Sequence, residues 1–371
     1  MSNNSSRRQW LRNTTAALAG VSLAPAIFAT EKERYRAEGI ILLNGNENPY
    51  GPSTAARKAM TESLGNSNRY PDDAVNTLRQ QLAEFNGVEK ENILMGAGSS
   101  EIIGLVLLAA GGGGYRRGYI MTAEPSYKIW HTQAEAIGYD FIQIPLNKER
   151  KYDMDKFSSY QSKFNAQLFY ICNPNNPTGT FVEPKELEDF INRSRSGHVL
   201  VDEAYTEYPD IPSLAQYAIK VPKVIVAKTF SKIYGLAGAR IGYAIAHSET
   251  IKRLASIQAW PNANVSMATA AAASAALKDQ GFVKDCREKA GLARQMCYDC
   301  FKQLSLEYIP SHTNFILFNI DKITGDFTKR MEAKNIFVQF RNHFGGKWCR
   351  VTMGTIDEMK IFCSVLKSIA G

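Results

Sequence analysis

One lysine of the 371-residue chain lies in a turn whose residue types suit covalent chemistry. Thr229 and Ser231 stand just before Lys232, and Arg240 follows eight residues after it. A primary amine can form an imine with an aldehyde, and hydroxyl groups together with a planar guanidinium can hold a phosphate. Pyridoxal 5′-phosphate (PLP) carries both groups, so this turn predicts a PLP site in which Lys232 forms the Schiff base.

Segments upstream of this turn carry polar residues that could complete such a site. Asp202 ends a predicted strand, where its carboxylate could pair with the pyridine nitrogen of PLP; the alternative is a structural or capping aspartate. The segment Asn173–Gly179 follows another predicted strand. Gly96–Glu101 opens a predicted helix with small residues, which would let a phosphate approach free backbone N–H groups, although an ordinary helix cap uses the same residues.

Short apolar runs alternate with helical patterns through the middle of the chain. The predicted strands are Tyr119–Thr122, Asp140–Ile144, Leu168–Cys172, His198–Val201, Val224–Lys228 and Arg240–Ala246. Strands separated by helices predict an α/β fold, with a mainly parallel sheet covered by helices on both faces. The polar segments follow strand ends, which is where sheets of this kind collect functional residues.

The C-terminal part of the chain has a different pattern. Two helices, Met267–Leu277 and Phe282–Leu304, precede a predicted helix Thr324–Lys334 and a predicted strand Ile336–Phe340. These elements predict a smaller α+β domain. The predicted domain organisation is an export signal at 1–29, an N-terminal arm at 30–65, a large PLP-binding domain at 66–262 and a small domain at 263–371.

Composition favours a soluble globular protein, with 44% hydrophobic and 22% charged residues. The formal net charge is +8, but the basic residues are scattered, and no basic run suggests nucleic acid. Cys297 and Cys300 share one face of a predicted helix, where two core thiols are favoured over a redox pair. No second pair or histidine cluster completes a zinc pattern, so no metal is expected.

The N-terminus has the pattern of an export signal. Arg7 and Arg8 precede an apolar, small-residue run at Ala16–Ala29, and the first 29 residues contain no acidic residue. This arrangement resembles the twin-arginine signal, with Trp10 where phenylalanine is usual. A disordered tail or a lipid-facing helix are the alternatives, but the run is too short to insert stably across a bilayer. We expect export, to the periplasm by the twin-arginine route; a non-functional signal would leave the protein cytoplasmic.

Eight motifs, taken together and in order, resemble those of one enzyme family. They are Asn46–Pro52, Arg69–Asp72, Gly98–Glu101, Pro125–Tyr127, Asn173–Gly179, Asp202–Tyr205, Thr229–Tyr243 and Arg350–Gly354. From about Leu43 to the C-terminus the chain resembles the class I/II aminotransferases of PLP fold type I, most of all the histidinol-phosphate aminotransferases. The resemblance implies a homodimer with composite active sites.

The resemblance also implies a role for each cofactor-binding residue. Lys232 would form the Schiff base, Asp202 would bond the pyridine nitrogen, and Tyr127 would stack on the ring. Tyr205 and Asn176 would hydrogen-bond the phenolate oxygen. The residues expected around the phosphate are Ser99, Ser100, Thr229, Ser231 and Arg240, with Tyr70 reaching it from a second subunit.

Substrate contacts are implied for three further residues. Arg350 would hold the α-carboxylate of the amino donor, and Tyr50 and Arg341 lie where the family contacts a distal phosphate. The flanks of Arg341 depart from the family pattern, and nearby His343 is a candidate specificity residue, although a lone histidine more often packs in a loop.

The expected reaction is transamination from an amino acid or an amino-phosphate donor, such as histidinol phosphate, to a 2-oxo acid. The same scaffold supports decarboxylases, racemases and lyases, among which threonine-phosphate decarboxylases share most of these motifs. A PLP-binding sensor domain would need an attached DNA-binding region, which the sequence does not suggest. A PLP-free relative is disfavoured because Lys232, Asp202 and Arg240 occur together.

Overall fold

The central sheet is built from the short apolar runs of the sequence. The computed structural model describes residues 39–111, 118–194, 196–261 and 264–370. A two-residue strand, β1 (Ile41–Leu42), precedes the central sheet. Its strands are β2 (Ile93–Gly96), β3 (Gly118–Glu124), β4 (Tyr139–Pro145), β5 (Leu168–Cys172), β6 (His198–Asp202), β7 (Val224–Thr229) and β8 (Gly242–Ala246). Their order across the sheet is β2-β8-β7-β6-β5-β3-β4.

The sheet is mainly parallel, as predicted. Strands β4, β3, β5, β6 and β7 pair in parallel, whereas β8 is antiparallel to both β7 and β2. All residues of β5 and β7 are buried. Alternate residues of β5 enter different cores, with Phe169 and Ile171 on one face and Leu168 and Tyr170 on the other. Uninterrupted apolar runs of this kind are typical of strands buried on both faces.

Helices cover both faces of this sheet. They are α1 (Thr54–Ser63), α2 (Asp72–Asn86), α3 (Ser99–Gly111), α4 (His131–Ala136), α5 (Met154–Gln161), α6 (Pro184–Arg193), α7 (Ala215–Ala218), α8 (Ser248–Ile257) and α9 (Met267–Lys278), with 3-10 turns at Leu64–Asn66 and Lys90–Asn92. Side chains cap several of them: Ser53 accepts a hydrogen bond from the amide of Ala56 at the start of α1. Helix α5 was not among the predicted elements.

A second, antiparallel sheet follows the long helix α10 (Gln280–Gln303). Its strands and the elements around them are β9 (Tyr308–Ile309), β10 (Phe315–Asn319), α11 (Phe327–Glu332), β11 (Ile336–Phe337), β12 (Gln339–His343), β13 (Gly346–Thr352) and α12 (Ile356–Ala370). The sheet order is β12-β13-β10-β9. Helix α11 is shorter than the predicted Thr324–Lys334, because Asp326 caps it.

The predicted strand Ile336–Phe340 is wrong in its extent. It divides after Phe337, and the chain resumes as β12, which pairs with β13 so that Gln339 lies opposite Arg350 and Arg341 opposite Trp348. This pairing extends the strand to His343. The division sets which residues of β12 lie opposite Arg350 and Trp348.

The described residues from Leu42 to Ala370 belong to one compact unit. The predicted export signal at 1–29 lies outside the described residues. The boundary predicted between a large and a small domain stays a prediction. Among the described residues, no helix combines the length and the apolar character that a membrane crossing requires.

Candidate active site

A cavity of about 740 Å³ lies beyond the carboxyl ends of the central strands. This volume is in the range of small-molecule sites. Its lining brings together almost all residues that the sequence predicted for the site: Ser99, Ser100, Tyr127, Asn176, Asp202, Tyr205, Thr229, Ser231, Lys232, Arg240, Arg341 and Arg350. They come from positions far apart in the sequence, because parallel strands end on the same side of the sheet.

The amine of Lys232 is held in this cavity by a tight turn between β7 and β8. The amide of Ser231 donates to Thr229 Oγ1 at 3.1 Å, and the amide of Gly235 donates to the carbonyl of Lys232 at 3.0 Å. Gly235 has φ of +69°, and a Cβ there would overlap the carbonyl of Gly51, so only glycine lets the two segments pack. Lys232 Nζ lies 3.5 Å from the carbonyl oxygen of Gly45.

Burial lowers the pKa of Lys232 to about 8, and the nearby Arg350 contributes in the same direction. Desolvation and a neighbouring cation both disfavour the ammonium form. A lysine with this pKa has a sizeable neutral fraction near physiological pH, and the neutral amine is the nucleophilic form.

The carboxylate of Asp202 is fully enclosed at the end of β6. Tyr170 on the neighbouring strand donates to Asp202 Oδ2 at 2.8 Å, and the amide of Ala204 donates to Oδ1 at 3.2 Å. Burial raises the pKa of Asp202 to about 6, although these hydrogen bonds oppose the shift. A buried carboxylate of this kind is suited to pair with a cationic group.

Hydroxyl groups and one guanidinium form a cradle at the start of α3. Ser99 and Ser100 begin that helix, and Thr229 and Ser231 face the same cavity. Arg240 adopts φ of +57° and donates from Nη1 to the carbonyl of Ala237 at 2.9 Å. Helix starts and guanidinium groups both favour anions.

Gly98 makes room for the Arg240 guanidinium in this cradle. A Cβ at Gly98 would overlap Arg240 Nη2, and the φ of +86° there also favours glycine. The cradle and the two buried groups have the chemistry that the parts of PLP require: hydroxyls and a cation for its phosphate, the Asp202 carboxylate for its ring nitrogen and the Lys232 amine for its aldehyde.

Arg350 of β13 reaches the cavity from the second sheet. Its Nη1 donates to Asn176 Oδ1 at 2.7 Å, and its Nη2 donates to the carbonyl of Asn44 at 2.7 Å. Within the described part of the chain, the buried Nε has no hydrogen-bond partner. Tyr205 completes this wall, because its hydroxyl accepts from Asn46 Nδ2 at 3.0 Å and lies 3.4 Å from Asn176 Nδ2.

A buried ion cluster links the Asp202 loop to the strand that leads to Lys232. Lys228 Nζ lies 3.0 Å from Glu203 Oε2 and 3.5 Å from Glu207 Oε1. It also donates to Thr206 Oγ1 at 2.9 Å. Burial alone would lower the pKa of Lys228, but Glu207 and Glu203 raise it by more. Removing Lys228 would leave two buried carboxylates without a cation, so the cluster fixes the Asp202 loop relative to strand β7.

Tyr50 and Tyr70 lie apart from the other predicted residues and are not among the described residues that line the cavity. The Tyr50 ring lies 4.6 Å from Lys289 Nζ. Tyr70 is 71% exposed, and its ring centroid lies 4.8 Å from that of Trp260.

Several lining residues had no assigned role in the sequence. Asn46 and Gln339 are examples. His343, a candidate specificity residue in the sequence, also lines the cavity. Tyr170 was also missed, because it stands in the middle of an apolar strand. Had the strand been placed correctly, the two-residue spacing would have put Gln339 on the same face as Arg341 and His343.

Comparisons with known proteins identify the family. Residues 38–366 match the model of the aminotransferase class I and II family. The chain is 35% identical over 343 residues to a histidinol-phosphate aminotransferase of Brevibacillus brevis, covering 91% of this chain and 92% of that one. It is 36% identical over 337 residues to the histidinol-phosphate aminotransferase of Caldicellulosiruptor saccharolyticus, with coverage of 90% and 92%.

A solved structure agrees with these relatives. The histidinol-phosphate aminotransferase of Sinorhizobium meliloti, crystallised in complex with PLP, superposes with a TM-score of 0.81 at 26% identity. The match covers 91% of this chain and 93% of that one. The fold of the chain is therefore that of a protein that holds PLP.

Proposed function

The chain belongs to the aminotransferase class I and II family and is a PLP-dependent aminotransferase, and on that premise we propose how its residues act and what they act on. The donor is an amino acid or an amino phosphate, and the acceptor is a 2-oxo acid. One observation carries the proposal: the amine of Lys232 and the buried carboxylate of Asp202 line the same cavity.

When bound, PLP supplies an aldehyde carbon that takes up an amino group and a ring that accepts the electron pair released from Cα. Lys232 would hold the cofactor through its amine, and that amine, once released, would take the Cα proton and return it on the cofactor side. Asp202 keeps the pyridine nitrogen protonated. Tyr205 and Asn176 hydrogen-bond the phenolate oxygen, and Tyr127 covers the ring.

Ser99, Ser100, Thr229, Ser231 and Arg240 hold the phosphate of the cofactor. Arg350 holds the anionic end of the donor. Its Nη1 and Nη2 are fixed by Asn176 and Asn44, which orients the planar group before substrate arrives. A fixed guanidinium presents a fork that matches a carboxylate or a phosphate.

Histidinol phosphate is a candidate donor, because the relatives from Brevibacillus brevis and Caldicellulosiruptor saccharolyticus are named for it. Histidinol phosphate has no carboxylate, so its phosphate would face Arg350 together with Arg341. Both arginines line the cavity, and they lie close enough for the charge of Arg341 to lower the pKa of Arg350, an effect smaller than that of burial.

The working unit in this proposal is a homodimer with composite active sites. Tyr70 and Tyr50 would each complete the cavity of the partner subunit, with Tyr70 on the cofactor phosphate and Tyr50 on the substrate. The exposure of Tyr70 beside Trp260 supports this arrangement, since a surface with two exposed aromatic rings favours an interface.

We also propose that the enzyme is exported, on the strength of Arg7, Arg8 and the apolar run that follows them. Fusion of residues 1–29 to a reporter that is active only outside the cytoplasm tests this. Replacement of both arginines by lysine should abolish export, and continued export of that variant would exclude the twin-arginine route.

A donor screen tests the reaction. The purified protein, loaded with PLP, is given a panel of amino acids and histidinol phosphate, with pyruvate, 2-oxoglutarate or imidazole-acetol phosphate as acceptor. We expect a keto product and an amino product in equal amounts. Release of carbon dioxide without a keto product would instead indicate a decarboxylase.

A further inference from the structure

Strand β12 carries three polar residues on one face. Along the strand, Gln339, Arg341 and His343 are half-buried, whereas Phe340 and Asn342 between them are exposed. Alternate residues of a strand point to the same side. All three half-buried residues line the active-site cavity, so the polar face of β12 forms part of its wall.

This polar face begins at the arginine that holds the donor. Gln339 lies directly opposite Arg350 in the pairing of β12 with β13, and His343 lies opposite Gly346 at the far end. Successive residues on one face of a strand are about 6.6 Å apart, so the face extends roughly 13 Å beyond the Arg350 position. A donor anchored at Arg350 could therefore lay its side chain along Gln339, Arg341 and His343.

Two polar atoms on this face are unused. Among the residues that the structure describes, neither Gln339 Oε1 nor His343 Nε2 has a hydrogen-bond partner, although both atoms are buried. A buried polar atom without a partner costs free energy comparable to a lost hydrogen bond, so such an atom beside a cavity is a place where a ligand group or a water would be stabilised. Arg341 differs, because its Nη1 donates to the carbonyl of Phe340 at 3.0 Å.

The chemistry of the unused atoms restricts the ligand. Gln339 Oε1 accepts hydrogen bonds, so in this orientation of the amide it suits a partner with an N–H or O–H group. Burial lowers the pKa of His343 to about 4, and Arg341 and Lys128 act in the same direction. The imidazole is therefore neutral at pH 7, with one ring nitrogen that donates and one that accepts.

We propose, building on the transaminase function above, that Gln339 and His343 are specificity-determining residues that select an amino donor whose side chain ends in an uncharged group able both to donate and to accept hydrogen bonds. An imidazole, a carboxamide, a phenol or an alcohol has this property. For histidinol phosphate, with its phosphate at Arg350, the imidazole ring is the group in question.

Matched donor pairs test the inference. The kcat/KM of the PLP-loaded enzyme is measured for L-tyrosine against L-phenylalanine, L-glutamine against L-methionine and L-histidine against L-leucine, with 2-oxoglutarate as acceptor. We expect the polar member to be preferred by tenfold or more in at least one pair, because a site built to hydrogen-bond a polar group discriminates strongly against analogues that lack it.

The variants Gln339→Met and His343→Phe keep side-chain size and remove the polar atoms. Each should lower kcat/KM for the preferred polar donor by about tenfold and leave the apolar partner of that pair unchanged. Asn342→Ala, on the exposed face of the same strand, is the matched control and should leave every ratio as in the wild type. The absorbance of bound PLP verifies that each variant is folded and loaded.

The outcomes separate this inference from the function on which it rests. If the enzyme transaminates but no pair shows a polar preference, Gln339 and His343 do not select the donor. The same follows if both variants retain the preference. Either result leaves the transaminase function intact. An equal loss for polar and apolar donors would make the two residues merely structural. A wild-type enzyme that transaminates no donor, histidinol phosphate included, with pyruvate, 2-oxoglutarate or imidazole-acetol phosphate would refute the proposed function, and this inference with it.

Discussion

The guanidinium of Arg350 donates a 2.7 Å hydrogen bond to the amide oxygen of Asn176, although 174 residues separate the two in sequence. The bond joins β13 of the second sheet to the loop that follows β5 of the first. Asn176 also lies 3.4 Å from the Tyr205 hydroxyl. The residue proposed to hold the donor and a residue proposed to hold the cofactor are thus fixed together.

Arg350→Lys should lower kcat/KM for every amino-acid donor by roughly ten- to hundredfold. Lysine keeps the charge but loses the planar fork, and a lost charge-assisted hydrogen bond costs about 1.5–3 kcal/mol. Steady-state kinetics measure the effect, with Arg57→Lys on the exposed surface of α1 as control. Unchanged kinetics in Arg350→Lys would remove Arg350 from the donor site.

Gly98→Ala should weaken the binding of PLP to the cofactor-free protein by at least about tenfold. The added Cβ would push the Arg240 guanidinium out of the phosphate cradle, and the backbone conformation there is strained for alanine. Gly238→Ala, in the turn after Lys232, is the control, because a Cβ there would meet no described atom within 4 Å. Equal affinities in a PLP titration of the two variants would contradict the cradle.

Asp202 predicts an unusual pH dependence for the cofactor-free protein. Its pKa is raised from 3.8 to about 6, so the folded state binds the proton more tightly than the unfolded state. Stability from this group is therefore greatest below about pH 4 and is lost as the pH rises to about 6. The rise in pKa from 3.8 to about 6 corresponds to at most about 3 kcal/mol of unfolding free energy.

The variant Asp202→Asn removes this titration. Without PLP, it should be more stable than the wild type at pH 8, and the difference in unfolding free energy should shrink towards pH 4. With PLP, its activity should fall about a hundredfold or more, because the ring nitrogen loses its charged partner. Denaturation experiments in which the difference in unfolding free energy between the two proteins is the same at pH 8 and at pH 4 would contradict this role of Asp202.

Composite active sites predict complementation between two inactive proteins. Lys232→Ala lacks the amine in its own cavity, and Tyr70→Phe lacks a hydroxyl donated to the cavity of its partner. Heterodimers formed by mixing them should contain one intact site and recover part of the activity, whereas each homodimer should not. Subunit exchange without any recovery would show that Tyr70 does not cross the interface.

All the residues predicted around PLP except Tyr70 line the cavity, whereas the polar face of β12 was not predicted, and the reason is physical. The residues predicted around PLP follow strand ends, and parallel strands bring such positions together whatever the details of packing. Lys232 and Asp202 needed only that rule, whereas Arg240 precedes the antiparallel strand β8. The polar face of β12 depended on where the strand divides and on its register with β13, and a one-residue error reverses which side chains face the cavity.

Two supporting contacts could not have been predicted in the same way. Tyr170 looks like a core residue of a buried strand, and its bond to Asp202 arises from the pairing of β5 with β6. Lys228 looks like the polar end of a strand, yet it is buried between Glu203 and Glu207. Both contacts are made by side chains whose partners only the folded chain specifies.

The most direct test of the account is to locate the lysine that carries PLP. The yellow holoenzyme is reduced with borohydride, which fixes the cofactor covalently, then digested and mapped by mass spectrometry. The account predicts the label on Lys232 and its absence from a Lys232→Ala protein treated identically. A label on another lysine, or an unlabelled protein that still transaminates, would contradict it.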